Sequence, residues 1–448
     1  MIAAVLSIAA GAVLLIWPAL VNGYPMLFSD TGAFLHQTLG PLVIWDKPHV
    51  YGPLLHLFHW RLSLWGPVLA QGLAVSHLLW LAVRALRGAG RGAGGGGGDP
   101  AIHLLACLAA AALTTAPFTV ALLMPDVFAP IVALALLLLG FARESLSRGE
   151  ARWLAVLATC GIAAHLSHLP LAAALVGIVL LLARDLRATA RVALPLLGAV
   201  LILLGTNLWG HGRATLSPHG ATFLLARLQA DGPAAEVIRA RCPESGWYLC
   251  AFADRLPMDS DDFLWLPDSP VNRAPDGTAR FLGGALLSAE AGVIVGETLR
   301  AKPFAVAWAM ARNTLRQVFT ATAGDTLVAS HLAAAVRPRI AEGFPARELA
   351  AYDSALQPRG LLPAAAAPFL WPHGPVLVLG ALLAFAAWRQ AVQAPDQRRL
   401  GLVVGVLVAI TANAFVTGGL SKPHLRYEAR ILWLMPIIAG LALAPRRP

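Results

Sequence analysis

Charged residues and cysteine are scarce in this chain of 448 residues. Only 13% of the residues are charged, whereas 58% are hydrophobic. Apolar runs of about 20 residues recur along the sequence, which excludes an ordinary water-soluble domain and predicts a membrane protein with several spans. Because these runs lack the alternation of polar and apolar residues seen in barrel strands, we expect them to be helices.

Four cysteines are too few for a disulfide framework. Cys107 and Cys160 fall within predicted spans, where small buried thiols are ordinary. Cys242 and Cys250 lie eight residues apart in a polar segment. Either a disulfide in an oxidising compartment or two buried thiols would fit that pattern.

The apolar runs predict an all-α polytopic membrane protein with about ten transmembrane helices and a mainly helical outward domain. We expect an N-terminal membrane module of about seven spans at 1–209, an outward soluble or interfacial domain at 210–371, and a C-terminal module of about three spans at 372–448. The spans are predicted at 2–21, 64–83, 101–121, 127–142, 153–169, 171–183, 192–209, 373–388, 400–418 and 429–444.

Basic residues in the short connections predict the orientation. Arginines concentrate in the connections on one side, at 84–91, 143–152, 184–191, 389–399 and 446–447. By the positive-inside rule, both termini are cytoplasmic and the chain is predicted to cross the cell (inner) membrane several times. Because the basic residues are dispersed at helix ends, topology accounts for the net charge of +10, and no nucleic-acid partner is expected.

Two further segments allow more than one interpretation. The glycine-rich stretch 88–98 predicts a flexible cytoplasmic linker, because a phosphate-binding loop would need a preceding strand and a following Lys-Ser/Thr. Residues 303–320 place Arg312 and Arg316 four residues apart beside apolar neighbours. That pattern is typical of a helix on the outer membrane surface, or of a soluble helix with a solvated basic face.

Carboxylates and histidines are concentrated in the outward connections. Residues 22–62 carry Asp30 and Asp46 in a connection longer than helix–helix loops usually are. Asp126, at the tip of the hairpin between the third and fourth spans, either caps the next helix or directs a carboxylate into an outward vestibule. His165 and His168 could hold a metal ion, although bonds to backbone or water are the simpler interpretation.

The last outward loop is unusually basic. Lys422, His424, Arg426 and Arg430 cluster at 418–433, where the positive-inside rule expects few basic residues. These cations either bind an anion, for which the donor fork of arginine is suited, or contact lipid headgroups. Ionisable groups at membrane depth tend to mark substrate paths, so an anionic, lipid-borne substrate is expected.

Two motifs in the first outward loop carry a family resemblance. Phe28-Ser-Asp30-Thr-Gly and Asp46-Lys-Pro-His-Val-Tyr51-Gly-Pro53 resemble the first outer loop of the GT-C class of membrane glycosyltransferases, which take a sugar from a polyprenyl-phosphate donor. The order of spans, outward domain and C-terminal spans is also similar. Ser29-Asp30 stands where the class usually has an acidic pair, which leaves metal dependence open.

The resemblance implies a role for each candidate residue. Asp30 would be the general base for an acceptor hydroxyl, whereas Ser-Asp-Thr-Gly is equally a helix N-terminal signal in which Asp30 would only cap the helix. Asp126 or Asp46 would orient the acceptor or bind a divalent cation, Mg or Mn. The leaving lipid phosphate and the rest of the substrate would contact Lys422, His424, Arg426, Arg430, Tyr51 and His168. Partners would be the polyprenyl-phosphate-linked sugar, membrane lipid and a glycan, lipid or protein acceptor.

Two other functions fit the same sequence. A transporter or flippase for a lipid-linked or anionic solute would also place charges beside a membrane path, but it would favour inverted repeats or broken helices near mid-membrane. A non-catalytic partner in cell-envelope assembly would use the outward segment as a docking surface.

Overall fold

The computed structural model describes residues 2–40, 42–88 and 99–445. Over these ranges about 75% of the chain is helical and no strand is present, so the all-α prediction is confirmed. Residues 89–98 of the predicted linker, and Arg446 and Arg447, which are predicted to be cytoplasmic, lie outside the described residues.

The N-terminal part is a helical bundle built around one central helix. Its α-helices are α1 (Ile2–Leu15), α2 (Trp17–Asn22), α3 (Ser29–Leu39), α4 (Tyr51–His59), α5 (Trp65–Arg87), α6 (Pro100–Leu113), α7 (Ala116–Val120), α8 (Phe128–Phe141), α9 (Arg148–Ala164), α10 (His168–Ala183) and α11 (Leu186–His211). Helix α8 is apolar on every face and almost wholly buried, as expected of a central helix. It packs against α5, α9, α10 and α11.

Two predicted spans are interrupted near a proline. The run 2–21 divides into α1 and α2, with Pro18 in the first turn of α2. The run 101–121 divides into α6 and α7, with Pro117 in the first turn of α7. Proline lacks the N–H that continues a helix but is tolerated in a first turn, so it marks where each new helix begins.

The middle segment has a small core of its own. Its α-helices are α12 (Gly220–Ala230), α13 (Pro233–Arg241), α14 (Ser260–Trp265), α15 (Gly283–Ala301), α16 (Pro303–Val318), α17 (Leu332–Ala335), α18 (Arg337–Gly343), α19 (Ala346–Ser354) and α20 (Leu362–Leu370). Helices α12–α16 form that core, in which Leu225, Phe263 and Ile294 are fully buried, whereas the buried apolar residues of α17–α20 belong to the core of the N-terminal bundle. Cys242 and Cys250 form a disulfide with their Cα atoms 5.3 Å apart, so the bonded alternative holds.

The C-terminal part contains α21 (His373–Gln393), α22 (Gln397–Ala414), a π-helical turn (Phe415–Gly419), α23 (Leu425–Leu432) and α24 (Leu434–Leu443). Helix α22 packs against α8 and α10 of the N-terminal bundle, and α23 meets α7 and α22. The N-terminal and C-terminal parts therefore form one body, and α23 lies at their junction with the middle segment.

Four helical stretches of the described chain are long and apolar enough to cross a membrane: Trp65–Arg87, Leu186–His211, Leu362–Gln393 and Gln397–Gly419. Shorter apolar helices occur at Ile2–Leu15, Pro100–Leu113, Pro125–Phe141 and His168–Ala183. These stretches support a membrane-associated protein.

Candidate functional site

A backbone pairing fixes the start of α3 beside the loop that precedes α8. The N–H of Met26 donates to the carbonyl of Ala121 at 3.1 Å, and the N–H of Leu123 donates to the carbonyl of Met26 at 2.9 Å. The hydroxyl of Thr31, in the first turn of α3, donates to the carbonyl of Leu123 at 3.0 Å. The loop 22–62, predicted to face outward, and the tip of the following hairpin are therefore held together.

Asp30 lies in the first turn of α3 and makes an ion pair instead of capping that helix, whose N-cap is Phe28. Lys47 Nζ lies 3.3 Å from Asp30 Oδ1 and 2.5 Å from Asp46 Oδ2. Burial disfavours the charged carboxylate of Asp30, but the cations Lys47 and Arg426 outweigh it and lower its pKa below the usual value. Asp30 is therefore ionised at neutral pH, and its side chain keeps 38% exposure.

Arg430, on α23, is buried with its donors engaged. Its Nη1 donates to Asp126 Oδ1 at 3.2 Å, and its Nη2 donates to Ser167 Oγ at 3.1 Å. Its Nε and Nη2 also donate to Asn413 Oδ1, at 3.1 and 2.8 Å. The side chain is 1% exposed. The hydrogen bonds of Arg430 therefore connect α23 to α22 and to two hairpin tips of the N-terminal bundle.

Arg426 lies one helical turn before Arg430, on the same face of α23, but it is farther from its neighbouring carboxylates. Its Nε is 3.9 Å from Asp126 Oδ1, and its Nη1 is 3.9 Å from Asp325 Oδ2. Both distances exceed hydrogen-bond length, and Nε has no hydrogen-bond partner in the described part of the chain. The guanidinium lies 4.0 Å from the ring centroid of Phe28 and 4.8 Å from that of Tyr427. Arg426 thus has donors available for an anion.

A small hollow lies beside the two arginines, between α7 and α23. Its free volume is about 10 Å³. That is room for about one water molecule. A larger ligand must therefore displace side chains to reach it. The lining includes Phe118, Leu122, Asp126, Thr326, Arg426 and Arg430.

The other two basic residues of the loop 418–433, Lys422 and His424, face the middle segment. Lys422 Nζ donates to Asp259 Oδ1 at 2.7 Å and to Asp261 Oδ2 at 2.8 Å. His424 Nε2 lies 3.5 Å from the same Asp261 oxygen. Burial disfavours the charged carboxylate of Asp261, but hydrogen bonds from His424 and Lys422 outweigh it and lower its pKa to about 2. Lys422 and His424 therefore have partners of their own, apart from Asp30 and Arg426.

Tyr51 and His168 are buried behind the cluster of arginines and carboxylates. The hydroxyl of Tyr51 donates to Gln71 Oε1 at 2.9 Å, and the side chain is buried under α3. His168 is fully buried and bonds through Nδ1 to the carbonyl of Gly161 at 2.7 Å, in keeping with the backbone-bonded interpretation. Its neighbour Ser167 contacts Arg430. Both predicted residues support the walls of the site.

The carboxylates proposed for a divalent cation do not fit one in this arrangement. Asp126 is neutralised by Arg430 and Arg426, while Asp30 and Asp46 share the ammonium of Lys47. Within the described ranges, no group of three or more His, Cys, Asp or Glu is arranged to hold a metal ion. A hard cation would need several free oxygen ligands, so no step is assigned to a metal.

The cluster includes residues that were not among the predicted site residues. Lys47 bridges Asp30 and Asp46, Asn413 accepts from Arg430, and Asp325 contacts Arg426. Asn413 gave a usable signal, because it is an amide inside an apolar run. Asp325, in the turn Gly324–Thr326, follows no pattern that would distinguish it from other loop acids.

Comparison of the chain with protein-family models, curated proteins and solved structures found no match. The fold and the site themselves define the class, which is an all-α, membrane-associated protein with a buried cluster of arginines and carboxylates. Residues of both membrane parts and of the middle segment contribute to that cluster.

Proposed function

We propose that the chain is an integral membrane glycosyltransferase that moves a sugar from a polyprenyl-phosphate donor to an acceptor hydroxyl on the non-cytoplasmic face. One observation carries this proposal: a guanidinium with available donors, Arg426, lies in the same cluster as an ionised carboxylate, Asp30. The ring centroid of Phe28, two residues before Asp30, is 4.0 Å from the guanidinium of Arg426, and the charge of Arg426 helps to lower the pKa of Asp30. This pair suits a reaction in which a hydroxyl loses its proton while a phosphate gains charge.

In the proposed reaction, Asp30 and Arg426 each have one role. The carboxylate of Asp30 takes the proton of the acceptor hydroxyl as the hydroxyl oxygen bonds to the anomeric carbon. The bond from that carbon to the donor phosphate breaks, and its electron pair stays on the phosphate oxygen. Arg426 then stabilises the added negative charge with its N–H donors. Arg430 acts as a positioning residue, because its own donors already bind protein oxygens.

The proposal includes about ten spans, cytoplasmic termini and a place in the inner membrane. Helices at the positions of all the predicted spans support the count. The Cys242–Cys250 disulfide supports a middle segment on an oxidising side of the membrane. Trp60, Trp209 and Trp371 adjoin predicted outward span ends and are 68%, 70% and 72% exposed. Exposed tryptophan is typical of the membrane–water interface.

The partners follow from the same chemistry. The donor is a polyprenyl-phosphate-linked sugar delivered by the surrounding lipid, and the acceptor is a hydroxyl of a glycan, a lipid or a protein. Because the hollow at Arg426 is small, donor binding must widen it. The Arg426 side chain can move without losing a hydrogen bond to a carboxylate, since its contacts with carboxylates are 3.9 Å long.

Replacing Asp30, the proposed base, distinguishes donor binding from sugar transfer. Asp30→Asn keeps the shape of the side chain but removes the proton acceptor, so we expect transfer to fall about 100-fold or more while donor binding remains. The assay uses purified protein in nanodiscs, polyprenyl-phosphate carrying a radiolabelled sugar, and membrane extract as acceptor. Asp259→Asn, a carboxylate paired with Lys422, is the matched control and should stay active.

Each alternative function predicts a different result. A fully active Asp30→Asn variant would remove Asp30 as the base. Solute movement across proteoliposomes without sugar transfer would favour the transporter or flippase. Absence of donor binding, transfer and transport in the unaltered protein would favour the assembly partner.

A further inference from the structure

Helix α16 carries an uncovered apolar stripe. Phe304, Trp308, Leu315 and Phe319, the last of them its C-cap, are 89%, 71%, 62% and 81% exposed. Their spacing of four, seven and four residues places all of them on one side of the helix. Large apolar side chains exposed in a continuous row mark an interaction surface.

The opposite side of α16 is buried against the end of a candidate span. Val306, Ala309, Asn313 and Gln317 are its buried residues, and the helix packs on the π-helical turn Phe415–Gly419. That turn ends the apolar stretch Gln397–Gly419, which is long enough to cross a membrane. The exposed stripe therefore lies at the level where a membrane-crossing helix ends.

Basic residues flank the stripe on one side. Arg312 and Arg316 are exposed, and the guanidinium of Arg316 forms no ion pair in the described part of the chain. Arg312 has one contact, 3.3 Å to Asp231. An apolar row of aromatic and aliphatic side chains beside arginines is typical of helices that lie in the headgroup region of a bilayer. Anionic headgroups complement such arginines.

We propose that α16 lies flat in the outer interface of the bilayer, with Phe304, Trp308, Leu315 and Phe319 among the acyl chains and the two arginines at anionic headgroups. The occupant of the stripe is thus the lipid itself. The alternative from the sequence, a soluble helix with a solvated basic face, would leave this row of side chains in water. The proposal depends on the membrane architecture and is independent of sugar transfer.

Helix α16 also contacts the segment that carries Arg426. Gln317 donates through Nε2 to the carbonyl of His424 at 2.9 Å, and its Oε1 accepts from the N–H of His424 at 2.9 Å. His424 is the N-cap of α23. Insertion of α16 in lipid would therefore fix the start of the helix that presents Arg426.

Spin labels on the stripe test the proposal without any activity assay. The background replaces the free Cys107 and Cys160 by Ala and keeps the disulfide. Single labels are placed at Trp308→Cys and Leu315→Cys, with Ala279→Cys, an exposed position in a short β-bridge to Arg273, as the matched control. In nanodiscs containing phosphatidylglycerol, we expect the two stripe labels to be accessible to oxygen and shielded from a water-soluble nickel complex, and the control to show the reverse.

Two results would overturn it. Stripe labels as accessible to nickel as the Ala279→Cys label would place α16 in water. Stripe labels shielded from both reagents would mean that protein, such as a second copy of the chain, covers the stripe.

The arginine part of the proposal has its own test. We expect the nickel accessibility of the Leu315→Cys label to be lower in nanodiscs with phosphatidylglycerol than in purely zwitterionic ones. Adding Arg316→Gln should reduce that difference at least twofold. An unchanged difference would show that this arginine does not bind anionic headgroups.

Discussion

Arg426 and Arg430 are one helical turn apart on α23, and their surroundings give them different tasks. Arg430 is 1% exposed and donates to three side chains, whereas both carboxylates near Arg426 are 3.9 Å away. A buried charge that loses its partner is costly, while a loosely paired one can exchange its partner for a ligand. Arg430 is therefore predicted to affect folding, and Arg426 to affect substrate binding.

Removing Arg430 should destabilise the protein strongly. Arg430→Gln leaves Asp126 buried without its closest cation, and breaking a buried pair in this way costs about 3–5 kcal/mol. The double variant Asp126→Asn/Arg430→Gln should recover part of that loss, because no uncompensated carboxylate remains. Reversible unfolding in mixed detergent micelles measures both values. Equal destabilisation of the single and double variants would contradict the pairing.

Removing Lys47 should change the pH dependence of transfer. The lowered pKa of Asp30 means that its base form is present at neutral pH and is lost only as the pH falls through that lowered pKa. Lys47→Met deletes the nearest cation, so the pKa should rise and the acid limb of kcat/KM should move to higher pH. Lys422→Met, which removes a cation paired with Asp259 and Asp261, should leave the limb in place. An unchanged acid limb of kcat/KM in the Lys47→Met variant would show that Lys47 does not control the pKa of Asp30.

At the scale of elements, α16 and the π-helical turn need a glycine to approach each other. A Cβ added at Gly418 would lie 2.6 Å from the carbonyl oxygen of Asn313 and from Cβ of Gln317. Both atoms belong to α16, and a backbone carbonyl cannot move aside easily. The close contact between α16 and the π-helical turn therefore requires glycine, which has no side chain, at position 418.

Gly418→Ala should separate these two elements. We expect a loss of about 1–3 kcal/mol in the free energy of unfolding, the usual cost of overpacking. Gly296→Ala, on α15, is the matched control because no atom lies within 4 Å of its added Cβ. That control should be neutral or stabilise by up to about 1 kcal/mol. Similar values for both variants would show that the close approach is unimportant.

The spacing of apolar residues predicted the positions of helices better than it predicted which residues contact each other. Apolar patterns in the middle segment predict helices near 218–230, 281–299, 303–320 and 326–337, and α12, α15 and α16 lie at the first three of these positions. The pattern near 326–337 was wrong as one helix, because a turn, α17 and α18 replace it and Pro338 lies in the first turn of α18. A pattern of apolar residues reports a buried face, but it does not determine where the chain breaks.

The same limit applies to the site. The sequence indicated that Asp30, Asp126, Arg426 and Arg430 face one side, and the structure brings them together. It could not indicate that Lys422 pairs with Asp259, since nothing local to either residue records a contact across the chain. Ion-pair partners that are far apart in sequence depend on how the modules dock.

At the scale of the whole molecule, one cluster joins every part of the chain. Asp30 comes from the first outward loop, Asp126 from a hairpin tip, Asp325 from the middle segment and Arg426 from the C-terminal part. These groups meet only when both membrane modules and the middle segment have docked. The proposed activity is therefore a property of the complete fold.

The binding of polyprenyl phosphate to the purified protein in nanodiscs tests this account most directly. We predict that Arg426→Gln weakens binding about 10- to 100-fold, as expected for loss of a charge-assisted hydrogen bond, while Lys422→Gln leaves it unchanged. Polyprenol without phosphate should bind poorly to the unaltered protein. Equal affinity of Arg426→Gln and the unaltered protein for polyprenyl phosphate would contradict the account.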